Sequence, residues 1–358
     1  MELFTKKENR SIDDISFLLA QKLILPQKTI LPFADSSEFI TELFSHHNGE
    51  QVKVISLGTA TSDIQIAADK AGFVFTVLLS KSVFTYNIDH LLDSISNGDI
   101  IYTANPNKIT GANFSLNSMK KLCEANLDGL IIIDEYYFDF FGISAIPLIS
   151  EYDNIVILRS FAAPFGVYSS DAGYAISSGK YINCCRELFQ LRKISNILRR
   201  TILATLENDL ALQQRLKELH NESLRLSNRL TELGISCRIT ATDFILMQVA
   251  SPKDVGNFLN SAKIEIENLD GYPQMKQFIR YRIESLYSNN RLINAFEKMP
   301  FHYYKVKKAA VSRITLRRPE EKTSVPDNER SRLLKGVITE RSKIPVNVNR
   351  KHMFKILD

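Results

Sequence analysis

Leu130-Ile131-Ile132-Ile133 is the segment that leaves this chain least freedom. Four consecutive aliphatic residues cannot alternate between a wet and a dry face. Such a run marks a central strand covered on both sides, and so a mostly parallel sheet with helices above and below it. The run ends in Asp134. In open α/β sheets, ligands gather at the carboxyl ends of strands. This carboxylate therefore has two readings: it caps the following turn, or it faces a ligand.

The flanking sequence supplies the rest of an α/β pattern. Helical spacing covers 11–23, with Ser11 as N-cap, and a second helix opens at Ala34–Glu38. Val52–Ser56 reads as a strand and Thr61–Ala71 as a helix stopped by Gly72. Strand Asp99–Tyr102 leads into the turn Asn105–Gly111 and helix Leu116–Glu124. Asn154–Ser160 and Gly173–Ser177 are further strands. One long helical stretch is expected from Arg186 to Leu233, with leucines at steps of three, four and seven and Gly234 as its stop. A smaller α/β unit follows, with strands at Ser236–Ile239, Phe244–Val249, Ile264–Glu267 and Phe278–Ile283 and helices at Pro252–Ala262 and Asn289–Lys298. The expected division is a large domain over 1–190, an interdomain helix and small domain over 191–299, and an extension over 300–358. Partial order in the extension is expected around Arg313–Leu316 and Glu329–Leu334.

Composition closes off several classes. Apolar residues make up 44% and charged residues 24%, which excludes a disordered or fibrous chain. No apolar run reaches the length of a membrane span. The first residues, MELFTKKENRSIDD, show no secretory h-region. Cys123, Cys184, Cys185 and Cys237 have no metal-ligand spacing, and reduced, helix-borne Cys184-Cys185 fits a cytoplasmic setting. The histidines form no metal pattern, and His46-His47 is expected at an exposed helix end. No P-loop or G-x-S-x-G is present. The net charge of +5 conceals an asymmetry. Residues 301–358 carry 15 Lys/Arg against 6 Asp/Glu, whereas residues 1–300 carry 30 against 34. The basic extension is either a solvated segment folded over an acidic surface, its own or a partner's, or a contact for nucleic acid.

Three segments in order, NPNKITG at 105–111, IIIDEYYFDF at 131–140 and NIVILRSFAAPFGVYSSDAGY at 154–174, resemble the fold-type I pyridoxal-phosphate (PLP) enzymes. The chain is most similar to the branch of histidinol-phosphate aminotransferase and threonine-phosphate decarboxylase. ADSSEFITELF resembles the helix after the family's cofactor-phosphate turn, which makes Ser36 a phosphate-side candidate. ATDFILMQV and FIRYRIESLYSNNRLINAFEKM resemble small-domain segments. The resemblance spans about residues 11–299. It implies an aminotransferase-like large domain with a mostly parallel central sheet, a smaller α/β C-terminal domain, and a dimer with its site at the subunit interface.

The same resemblance implies that much of the chemistry has gone. A PLP enzyme needs a lysine for its Schiff base and an acid for the pyridinium nitrogen. The position of the family lysine is Ala163, and the phosphate-binding serine before it is Ala162. The phosphate-binding arginine is Asp171, a reversal of charge that repels phosphate. Lys108 replaces an asparagine that contacts the ring hydroxyl, and Thr61 replaces the aromatic ring that stacks on the pyridine. The family's N-terminal substrate arm has no counterpart. Asp134, Tyr137 and Arg280 match the pyridinium partner, the neighbouring tyrosine and the arginine that clamps a substrate carboxylate. Each has a plain structural alternative, a strand-end hydrogen bond or a surface ion pair. The expectation is a degenerate member without resident cofactor or catalytic residue. It would serve a structural or regulatory role, as a homodimer or as the inactive subunit beside an active paralogue. The alternative is a residual enzyme holding PLP or pyridoxamine phosphate (PMP) noncovalently on an amino-acid or phosphorylated amino-alcohol substrate.

Overall fold

The aliphatic run lies at the centre of a seven-stranded sheet in the computed structural model, which describes residues 13–47, 52–162, 170–272 and 274–306. The strands are β1 (Ile30–Phe33), β2 (Lys53–Leu57), β3 (Val74–Leu78), β4 (Ile100–Ala104), β5 (Leu130–Asp134), β6 (Ile155–Ser160) and β7 (Gly173–Ile176). Their order is β1-β7-β6-β5-β4-β2-β3. The five strands from β6 to β3 run parallel, and β7 and β1 are antiparallel additions at one edge. Alternate residues of β5 feed opposite cores. Ile131 and Ile133 join Ile101, Ile157, Met119 and Leu122 on one face, while Leu130 and Ile132 join Val54, Val156, Phe39 and Ile64 on the other. Both faces are dry, which is why the run needs no polar alternation.

The helices over this sheet are α1 (Asp13–Leu23), α2 (Ser36–Ser45), α3 (Ser62–Lys70), α4 (Ile88–Leu92), α5 (Leu116–Ala125), α6 (Phe138–Phe141), α7 (Gly179–Leu188) and α8 (Asn196–Leu206). The 24-residue α9 (Asp209–Glu232) leads into a four-stranded antiparallel sheet. Its strands β8 (Ser236–Ile239), β9 (Phe244–Gln248), β10 (Glu267–Asn268) and β11 (Phe278–Arg282) take the order β10-β11-β9-β8. Helices α10 (Pro252–Ser261) and α11 (Leu286–Lys298) share its core, in which Leu226, Leu230, Ile245, Met247, Leu259, Leu292 and Phe296 are buried, and short α12 (Phe301–Tyr304) follows.

Several elements depart from the sequence reading. The stretch 186–233 is not one helix. It breaks where Ser195 accepts a hydrogen bond from Leu198 N and again where Asn208 accepts from Ala211 N, so two N-caps start α8 and α9 afresh. Edge strands β1 and β3 escaped the reading. Ile264 belongs to no strand: its N–H donates to Leu259 O in closing α10, and only β10 remains of the expected strand. Helix α11 starts three residues early, at Ser285's cap. The pair His46-His47 is half-buried rather than exposed, with His46 against Phe189 and His47 Nε2 3.4 Å from Gly98 O. Ser11, Arg313–Leu316 and Glu329–Leu334 lie outside the described residues.

Candidate functional site

The parallel strands end at one edge, and there the polar residues collect. Asp134 closes β5 and is 4% exposed. In the parallel register Tyr102 of β4 pairs with Ile132, two residues before Asp134, so the two side chains share a face. Tyr102 Oη donates to Asp134 Oδ2 at 2.6 Å. The Tyr136 N–H donates to Oδ1 at 3.1 Å. Lys108 completes the set, with Nζ 2.6 Å from Asp134 Oδ2 and 4.9 Å from the centre of the Tyr136 ring.

The loop that delivers Lys108 is built by its neighbours. Asn107 is buried, its Oδ1 accepts from the N–H groups of Ile109 and Thr110 at 3.0 Å, and its Nδ2 donates to Thr59 O at 2.7 Å. Asn105 Oδ1 accepts from Phe114 N at 2.7 Å. Gly111 has φ +67°, and a Cβ there would collide with Thr240. The NPNKITG segment is therefore a rigid shelf, with Lys108 its one long side chain turned to the carboxylate.

The electrostatics agree with the geometry. Burial works against the charge on Lys108, yet Asp134, Asp63 and Asp171 together hold its pKa above the ordinary lysine value. Burial, then Asp134, pushes the Tyr102 phenol well up, so it stays a donor.

Arg280 of β11 joins the cluster from the small sheet. It donates to the carbonyl of Lys108 and pairs with Glu267, and its guanidinium lies 4.9 Å from the Phe244 ring centre. Tyr137 points elsewhere. Its hydroxyl bonds to Asp243, which after burial does most to raise its pKa, and its ring packs on Phe140 and Phe244. These rings belong to an apolar cluster of Val83, Ile109, Tyr137, Phe244, Leu246, Leu269 and Met275 that joins the segments following β3, β4 and β5 to the small sheet.

Ser36 stands apart, in the first turn of α2. Asp35 caps that helix by accepting from Glu38 N, Ser36 N donates to Asp171 O at 3.0 Å, and Arg192 bonds Asp35 Oδ2 at 2.5 Å. Thr61 precedes α3, and its buried Oγ1 has no hydrogen-bond partner among the described residues. Ala162 is buried, and Ala163 lies outside the described residues. The structure thus brings Lys108, Asp134 and Arg280 together and leaves Tyr137 and Ser36 outside that cluster. The sequence reading missed Tyr102, Tyr136, Asn107 and Glu267. Of these, Tyr102 was within reach from its parity with Asp134 once β4 and β5 were taken as neighbours. No described residues form a metal-binding group.

A profile of the family described as aminotransferase class I and II matches residues 36–316. The histidinol-phosphate aminotransferase of Caldanaerobacter subterraneus subsp. tengcongensis is 27% identical over 222 residues, which is 60% of this chain and 62% of that protein. The chain therefore spans less than two thirds of this relative's length. The Pyrococcus furiosus histidinol-phosphate aminotransferase is 25% identical over 295 residues, 82% of this chain and 83% of that one. Among solved structures, the fold is shared with the Sinorhizobium meliloti histidinol-phosphate aminotransferase in complex with pyridoxal-5'-phosphate. The TM-score is 0.72 and the identity 16%, covering 79% of this chain and 80% of that one. The L-threonine-O-3-phosphate decarboxylase of Porphyromonas gingivalis gives a TM-score of 0.66 at 15% identity, covering 80% and 87%.

Proposed function

Because the chain belongs to the class I and II aminotransferases, a PLP-dependent family, we propose that it is a catalytically silent member that serves as a structural or regulatory subunit. The observation that carries this reading is the ammonium of Lys108 on the carboxylate of Asp134. In the family that carboxylate is the partner of a pyridinium nitrogen. Here a cation of the chain's own already neutralises it, and the cofactor does not fit. The other contacts support the same conclusion. The Schiff-base position is Ala163, which has no amine. Around Ser36 the helix start is taken by the Asp35 carboxylate, and the Ser36 N–H is already spent on the Asp171 carbonyl, so two donors that a phosphate would need are occupied. Arg280 is held by Glu267 and a backbone carbonyl rather than free for a substrate carboxylate.

The one amine that reaches the cluster among the described residues, that of Lys108, is held as an ammonium by Asp134 and so is not poised to attack an aldehyde. Members of this family are commonly dimers, and on this reading the chain works through a surface shared with a second copy or an active paralogue. Its setting is cytoplasmic. No described helix is long and apolar enough to cross a membrane. On this reading the large domain ends near residue 190.

The test is spectroscopic. Purified protein is mixed with PLP, treated with borohydride and examined by absorbance and mass spectrometry. No stoichiometric reduced adduct is expected. An aldimine band that borohydride fixes onto one lysine would overturn the reading. A calorimetric signal for PMP that vanishes in Asp134→Ala would favour the residual enzyme instead.

A further inference from the structure

A cleft of 630 Å³ opens between α9 and the turn that leads from β11 into α11. Arg215, Glu218 and Leu219 line it from α9, and Arg282, Glu284 and Leu286 from the turn. Lys108, Asp134 and Arg280 are not among its lining residues, so it is distinct from the cluster described above. Both signs of charge surround apolar surface, and Leu286 is 56% exposed.

Two of these charges are uncommitted. Arg215 lines the cleft and its guanidinium makes no hydrogen bond or ion pair among the described residues. A guanidinium without an anionic partner is complemented best by a carboxylate, which it can bind bidentately. Glu284 uses its backbone to bond Asn289, but its carboxylate makes no hydrogen bond or ion pair among the described residues. The neighbouring charges are engaged. Glu218 accepts from Gln214, Glu222 is held by Arg225 and Asn289, and Arg282 approaches Asp243 at 3.9 Å. The volume falls in the range of small-molecule sites, about 300–1,000 Å³.

We propose that this cleft binds a small zwitterion with an apolar side chain, a free amino acid or a short peptide. Arg215 takes the carboxylate, Glu284 takes the ammonium, and Leu219 with Leu286 covers the side chain. The site is independent of the cofactor question, because it uses none of the residues on which that reading rests.

Calorimetry on the full chain tests it, with leucine, Leu-Leu and Leu-Leu-Leu as probes beside N-acetyl-Leu-Leu and Leu-Leu-amide. Binding of a probe with both ends free is expected, and the ratio of leucine to peptide affinity identifies the source. Capping either end should weaken binding at least tenfold. Arg215→Gln should weaken Leu-Leu by a similar factor while leaving the amide unaffected. Glu284→Gln should do the same, with the acetylated probe unaffected. Neither side chain makes a hydrogen bond or ion pair among the described residues, so both variants should fold, which a thermal melt checks. Failure of every probe to bind at millimolar concentration overturns the proposal. So does binding indifferent to capping and to both substitutions.

Discussion

Lys108 and Asp134 define the behaviour of the site one residue at a time. A buried carboxylate deprived of its cation is left unpaired, whereas replacing both partners by neutral groups is often close to neutral. Lys108→Met should therefore cost about 3–5 kcal/mol in urea unfolding, and Lys108→Met/Asp134→Asn should recover most of it. A double variant no more stable than the single would show that the pair does not hold this edge. The pair also has a pH signature. Because the folded-state pKa of Lys108 is raised, its contribution is complete below the unfolded value of about 10.4 and lost as pH climbs through the folded one. Tyr102 and Tyr137, whose phenols are raised by burial, lose stability in the same direction. The difference between wild type and Lys108→Met isolates the lysine: it should be constant up to about pH 10 and shrink above it.

At the scale of elements, caps decide where helices begin. Asp35 caps α2 and also holds Arg192, so Asp35→Ala should cost about 1–2 kcal/mol by thermal or chemical unfolding. A loss below a few tenths would mean that Arg192 and Glu38 hold the end alone. The same physics explains what was legible in the sequence. The central strands were readable because a residue buried on both faces must be apolar at every step, as in β5. Edge strand β3 was not, since every one of its residues, Val74 to Leu78, keeps some exposure and so need not be apolar at every step. The break between α8 and α9 hung on Asn208, whose capping bond looks in sequence like any polar residue on a helix face. The candidate site divided in the same way. Asp134 was legible as a strand-end carboxylate. That Lys108 turns inward was not, because its direction depends on Asn107 bonds to Thr59, 48 residues away.

For the whole molecule, the decisive contact is the apolar cluster between the small sheet and the segments that follow β3, β4 and β5. Phe244 lies at its centre against Tyr137, and Arg280 crosses the same seam to the Lys108 carbonyl. Phe244→Ala should cost about 3–5 kcal/mol and speed amide hydrogen exchange in β9 and β11 more than in β5. Uniform acceleration in both sheets would mean that they unfold as one unit. The Lys108–Asp134 pair has a consequence at this scale too. A protein completed by a dissociable ligand is stabilised by mass action, in proportion to the logarithm of free ligand over its dissociation constant. Here the completing cation is part of the polypeptide, and no dilution can remove it. The stability that this contact lends the strand edge is therefore the same at every protein concentration.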